Sequence, residues 1–345
     1  MDPMPVVAGD AHRGHDPPYE VNYGEDVRPP YERPERAERL RDALAAAGHP
    51  LVEPRRHGMA PVLAVHEPAL VRFLEQGWAA WRAAGGPEVL IPDTFAIGRF
   101  AGSGGRDPGG GIGRPGWFCF DTATPVVAGS FGAAVAAADA ALTAADLVAG
   151  GAPAAYALCR PPGHHAGPGY YGGFCLLNNA AIAARWLARR VAVVDVDFHH
   201  GNGTQEIFWE DPEVLYVSLH GAPAGHDPHF TGAADETGGG PGRGANRNLP
   251  LPDGTGDDAY LEALAEAMAL VAAFDPATLV VSAGFDTFER DPIGAFAVTT
   301  DGFRRVGAAL AGAGRPTLVV QEGGYAVEAL GANAVALLEG VQAGG

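Results

Sequence analysis

The chain has 345 residues, 47% hydrophobic and 19% charged, which is too apolar for disorder and enough for a large buried core. Its 23 Lys and Arg face 41 Asp and Glu, a formal net charge of −18. So acidic a surface argues against nucleic-acid binding and tolerates a small cationic ligand or a basic peptide. Three cysteines (Cys119, Cys159, Cys175) without a CxxC pair exclude a disulfide framework. No stretch reads as the roughly 20 apolar residues of a membrane helix. The opening MDPMPVVAGDAHRGHD lacks a signal-peptide pattern, so a cytoplasmic protein without a membrane partner is expected.

In chain order, Pro34–Ala47 and Glu67–Ala84 carry helical patterns. Between Gly98 and Gly116 nine of nineteen residues are glycine, which predicts an inserted loop without intrinsic structure. Helix Phe131–Ala149, strand Ala154–Cys159 and helix Leu177–Arg189 follow. Strands Val191–Val196 and Val214–Leu219 come next, then helix Asp257–Phe274 and strand Leu279–Ala283. Helix Asp301–Ala311, strand Thr317–Gln321 and helix Val327–Leu338 complete the chain. Apolar runs without alternation suit strands covered on both faces, and no linker interrupts them. The pattern predicts one α/β domain over residues 1–345 with a mostly parallel central sheet.

In such sheets functional residues gather past the carboxyl ends of the strands. Here the strands run into RPPGHHAGPGYYGGF, DVDFHHGNGTQ, His220, GFDTFERDP and EGGYA. In extended backbone Asp195, Asp197 and His199 would share a face. Asp197 and His199 are suitable donors to a divalent ion such as zinc, with Asp286 as a natural third ligand. A lone DxH is more often an ordinary loop; several such residues on neighbouring strand ends point to a site. His164-His165, in a loop stiffened by Pro161 and Pro162, suits proton transfer, and Asp195 could orient one of the pair. Tyr325 follows two glycines, where a tyrosine serves packing or donates a hydrogen bond to an oxyanion.

RPPGHHA, GFCLLNNAAIAA, DVDFHHGNGTQ, SLHG, SAGFDTFERDP and EGGY, in this order, resemble the histone deacetylase / acetylpolyamine amidohydrolase family. The bacterial acetylpolyamine amidohydrolases are the nearest branch, through GGF, HHGNGTQ and DTFERDPI. The resemblance implies an arginase-like, three-layer α/β fold and a zinc-dependent deacetylase, with a homodimer as the expected assembly. By motif, Asp197, His199 and Asp286 match the metal ligands, His164 and His165 the tandem catalytic histidines, and Tyr325 the tyrosine that polarises the amide. Asp195 and Asn202 match the groups orienting His164 and His165, and Gly173 and Phe174 the wall of the channel. A structural potassium or sodium ion would lie among carbonyls of Asp195, Asp197, His199, Ser218 and Leu219. Ligand type alone does not separate zinc from iron(II) at an Asp₂His site.

The amine is less legible. Ile293 stands where an acid would argue for a polyamine, and Asp121 matches another acidic position loosely. Asp227, in APAGHDPHFTG, is a further ammonium partner at the mouth, with His226 and His229 expected as surface residues. An acetylpolyamine is the leading substrate, and acetyl-lysine in proteins or another acylated amine the alternative. A silent acyl-lysine binder is disfavoured because no ligand or catalytic position is missing. A binuclear manganese ureohydrolase would need bridging carboxylates that DVDFHH does not supply.

Overall fold

The structure, a computed structural model, describes residues 3–22, 26–96, 105–188 and 190–344. Its strands are β1 (Val6–Val7), β2 (Glu20–Asn22), β3 (Asp26–Arg28), β4 (Leu51–Val52) and β5 (Ala154–Ala157). They continue as β6 (Val191–Asp195), β7 (Val214–Gly221), β8 (Asn246–Leu251), β9 (Thr278–Ala283) and β10 (Thr317–Gln321). Among the described residues eight of them form one sheet in the order β4-β1-β5-β10-β9-β6-β7-β8. Every neighbouring pair is parallel. Strands β2 and β3 form a separate antiparallel hairpin.

Unbroken apolar runs were the signal for the central strands, and the two faces show why. In β6, Val191 and Val193 enter one core while Ala192 and Val194 enter the other. β9 and β10 divide likewise, Val280, Leu318 and Val320 against Leu279, Val281 and Val319. A strand buried on both faces has no solvent side, so period-two polarity vanishes. Helices Ser130–Ala149, Asn179–Leu187 and Pro68–Ala83 cover one face. Pro34–Ala46, Asp257–Phe274, Thr300–Ala311 and Val327–Ala343 cover the other. The result is three layers.

Several boundaries move. The first central strand stops at Ala157, two residues short of Cys159, and Val191–Val196 stops at Asp195. The helix expected at Leu177 begins at Asn179, because the Asn178 side chain caps it by accepting from the Ala181 N–H at 2.9 Å. Its expected end, Arg189, lies outside the described residues. Of the glycine-rich stretch, residues 98–104 also lie outside them. The remainder is not structureless: Asp107 pairs with Arg114 through both carboxylate oxygens, and helix Pro115–Phe118 starts within it. Helix Ser130–Ala149 overturns the reading that no stretch is long and apolar enough to span a membrane. Alanine supplies its hydropathy, and 67% of its apolar window is buried against the sheet and its neighbours.

Candidate active site

In the sheet β5, β10, β9 and β6 are consecutive, so the loops after their carboxyl ends meet. Those loops carry residues 160–174, 322–326, 284–294 and 196–201. The expectation that Asp195, Asp197 and His199 share a strand face is wrong, because β6 ends at Asp195. The Asp195 carboxylate turns to His164, and Asp197 and His199 lie in the bend beyond the strand.

That bend brings three donors together. One atom each from Asp197, His199 and Asp286 lies within 4.8 Å of the other two. His199 Nδ1 is 3.0 Å from Asp286 Oδ2 and 3.4 Å from Asp197 Oδ1. Donors at about 2.1 Å around a tetrahedral ion are separated by about 3.4 Å, so this set fits a divalent metal. Outer oxygens are held by the main chain: Asp286 Oδ1 accepts from the Phe198 N–H at 2.8 Å, and Asp197 Oδ2 from the Gly323 N–H at 2.9 Å. Burial and the neighbouring Asp197 push the Asp286 carboxyl up to about 7. Gly323 is required here, since a Cβ would stand 2.5 Å from Asp286 Oδ2 and 2.6 Å from Asp197 Oδ2.

Above these donors the tandem histidines lie with ring centroids 4.1 Å apart. His164 Nδ1 faces Asp195 Oδ2 at 3.1 Å, and that oxygen also accepts from the Tyr216 hydroxyl at 3.0 Å. His165 Nδ1 donates to Asn202 Oδ1 at 2.7 Å, which leaves its Nε2 with a free lone pair. Burial opposes charge on both rings, yet Asp197 and Asp195 hold His164 up at about 10. Burial and the neighbouring His164 push His165 well down. The two adjacent imidazoles are thus biased in opposite directions, His164 toward the charged form and His165 toward the neutral one.

Tyr325 closes the opposite side. Its ring packs against Phe174 at 5.4 Å and lies under the Arg36 guanidinium at 4.7 Å. Gly173 and Phe174 form the wall, both with left-handed backbone (φ 57° and 66°). A Cβ at Gly173 would stand 2.2 Å from the His165 ring. Asp121 and Thr124 hold this strained turn. Asp121 accepts from the Gly173 N–H, the Thr124 N–H and the Thr124 hydroxyl, and the Phe174 N–H donates to Thr124 Oγ1 at 2.9 Å. Asp121 lines the cleft and at the same time holds this wall through those three donors.

A cleft of about 920 Å³ leads from these residues to solvent. Asp227 and Ile293 both line it, Asp227 exposed and 3.2 Å from His229 Nε2. His226 and His229 line it as well, at the surface as expected, His229 exposed and His226 partly so. The His226 ring packs 4.8 Å from Phe198, and its Nε2 is 2.6 Å from Asp253. Ser218 and Leu219 lie within β7, where Ser218 stands opposite Asp195 of β6. Sequence reasoning assigned no role to Glu322 and Asp291. Glu322 Oε2 accepts from the N–H groups of Gly163 and His164 at 2.6 and 3.1 Å, anchoring the histidine loop. The only signal was position: both acids stand beside named motif residues, in EGGY and RDPI.

Comparison with known proteins identifies the family. A family model described as the histone deacetylase domain matches residues 30–341. An acetylpolyamine amidohydrolase of Mycoplana ramosa is 43% identical over 343 residues, 98% of this chain and 99% of that protein. Acetylpolyamine amidohydrolase 1 of Pseudomonas aeruginosa is 43% identical over 344 residues, with the same coverage of 98% and 99%. The crystal structure of acetylpolyamine aminohydrolase from Burkholderia pseudomallei superposes with a TM-score of 0.93 at 42% identity, covering 99% of each chain.

Proposed function

The chain belongs to the histone deacetylase family, and from that premise we propose that this amide hydrolase removes the acetyl group from an N-acetylated polyamine. The observation that carries the reaction is the meeting of Asp197, His199 and Asp286 beneath His164-His165, with Tyr325 opposite. The polyamine is argued from likeness over nearly the full length of the acetylpolyamine amidohydrolases.

Enzymes of this family are metal-dependent, and we assign zinc to the Asp197, His199 and Asp286 donors, with iron(II) suited to the same set. Bound there, zinc would supply Lewis acidity toward the acetyl carbonyl and ease deprotonation of the attacking water. His165 takes the water's proton at Nε2, the nitrogen that Asn202 leaves free. His164, held charged by Asp195, stabilises the negative charge gathering on the substrate and assists departure of the amine. The Tyr325 hydroxyl donates to the carbonyl oxygen as it becomes an oxyanion. Gly173 and Phe174 line the path of the acyl-amine chain, and Asp227 and Ile293 border its distal end. We assign a structural potassium or sodium ion to carbonyls around Asp195, Asp197, His199, Ser218 and Leu219.

The open 920 Å³ cleft favours a second reading, acetyl-lysine within a protein. The deciding experiment sets N-acetylputrescine against an acetyl-lysine peptide on zinc-loaded enzyme, with Asp286→Ala as the inactive control. Preference for the acetylputrescine supports the proposal. Preference for the peptide replaces it with a lysine deacetylase, and turnover of neither overturns both substrates.

A further inference from the structure

We infer that Asp291 positions Tyr325 for catalysis by clamping the tyrosine's loop to the loop that forms the mouth wall. Asp291 stands in the segment after β9 and is 9% exposed. Its Oδ1 accepts from the N–H groups of Ile293 at 3.1 Å and Gly294 at 3.2 Å. Its Oδ2 accepts from the N–H groups of Tyr325 at 2.7 Å and Ala326 at 3.0 Å. One carboxylate thus binds four main-chain donors, two from the segment after β9 and two from the segment after β10.

A buried carboxylate is costly unless its charge is compensated. Among the described residues no Lys, Arg or His pairs with Asp291, so these four donors carry the compensation, and hydrogen bonds to an ionised acceptor are strong. The same residues explain why the clamp is needed. Tyr325 follows Gly323 and Gly324, and Gly324 adopts φ 114°, a backbone with little intrinsic preference for one path. Phe174 packs on the ring, and Arg36, besides lying over it, donates to the Gly324 carbonyl at 2.6 Å and the Glu322 carbonyl at 2.8 Å, which holds the segment before Tyr325 but not the Tyr325 N–H itself. Among the described residues Asp291 alone receives the Tyr325 N–H. Ile293 and Tyr325 both line the cleft, so the clamp fixes the catalytic hydroxyl relative to the wall that guides the substrate.

This inference rests on the reading of Tyr325 as the donor to the carbonyl oxygen. Asn at 291 offers one acceptor oxygen where two are used, so it can serve one loop but not both. Asp291→Asn is expected to lower kcat about ten- to a hundredfold with KM little changed, the cost of slight misplacement of a reacting group. The double variant Asp291→Asn/Tyr325→Phe should turn over no more slowly than Tyr325→Phe alone. Losses that multiply, or an unchanged kcat in Asp291→Asn, would overturn the clamp. Near-wild-type turnover of Tyr325→Phe would instead overturn the role of Tyr325, whatever Asp291→Asn does. Amide hydrogen exchange supplies a readout independent of turnover: in Asp291→Asn exchange should quicken over 324–326 or 292–294. Exchange unchanged over both segments would also refute the clamp. Should the Asn variant not fold, Asp291→Glu, which keeps the charge but displaces both oxygens, is measured in its place against the same outcomes.

Discussion

Replacing Tyr325 with Phe isolates one atom of the proposed machinery. The contacts that hold the side chain all involve the ring: Arg36 lies 4.7 Å from its centroid, Phe174 5.4 Å and Tyr31 6.2 Å. The main-chain bond to Asp291 is independent of the side chain. Phenylalanine therefore keeps the packing, and the loss of stability should stay under about 0.5 kcal/mol, a fall in Tm of about 2 °C or less. Catalysis should respond very differently. Removing one oxyanion donor typically costs about 10²–10³ in kcat, or about 2.7–4 kcal/mol. Steady-state deacetylation of N-acetylputrescine, with metal content measured per chain, separates these effects. The expected result is full metal occupancy, an unchanged melt and kcat reduced by about 10²–10³. A kcat close to wild type would refute the oxyanion role; lost metal would show that the hydroxyl supports the metal site rather than the oxyanion alone.

Chelation should abolish turnover and lower Tm, and restoring zinc to about a hundred times its Kd should return about 2.7 kcal/mol of stability. Asp286→Ala should show neither response in a thermal-shift titration; a normal zinc-dependent shift would remove Asp286 from the ligand set. Asp227 has a side chain 78% exposed, so Asp227→Asn should raise KM for a cationic acetylpolyamine by no more than about fivefold and leave a neutral acetamide unaffected. Asp121→Asn, by contrast, loosens the Gly173–Phe174 turn and should slow cationic and neutral substrates alike; selective loss of the cationic one would mark it as an ammonium partner. His66 is buried, with Nδ1 facing the Gly167 carbonyl and Nε2 accepting from the Asn178 N–H, and burial lowers its pKa from 6.5 to about 4. The unfolded chain takes the proton first, so this contribution is complete above pH 6.5 and is lost as pH falls toward 4, on the order of 3 kcal/mol. Denaturant titrations of His66→Gln should show a shallower fall across that window, and an identical pH slope would discount the assignment.

The sequence by itself determined what local chemistry can encode. Central strands such as Thr317–Gln321 were legible because runs of β-branched and apolar residues suit a strand buried on both faces. Asp257–Phe274 was legible because its apolar positions keep helical spacing over 18 residues. The metal and histidine residues were legible because imidazoles and carboxylates cluster within a few short segments. Tertiary structure decided the rest. β1 and β4, two residues each, exist only through their neighbours in the sheet, and β8 carries Pro250 and two asparagines that speak against a strand when read alone. Asp195 and Asp197 are equivalent in sequence, yet the end of β6 between them sends one to His164 and the other to His199. Asp121 matched an acidic position only loosely in sequence, and the fold alone placed Gly173 and Thr124 against it. The hold of Asp291 on Tyr325 and of Glu322 on the histidine loop comes from N–H groups distant in the chain, because a carboxylate's partners are set by the backbone that folding brings to it.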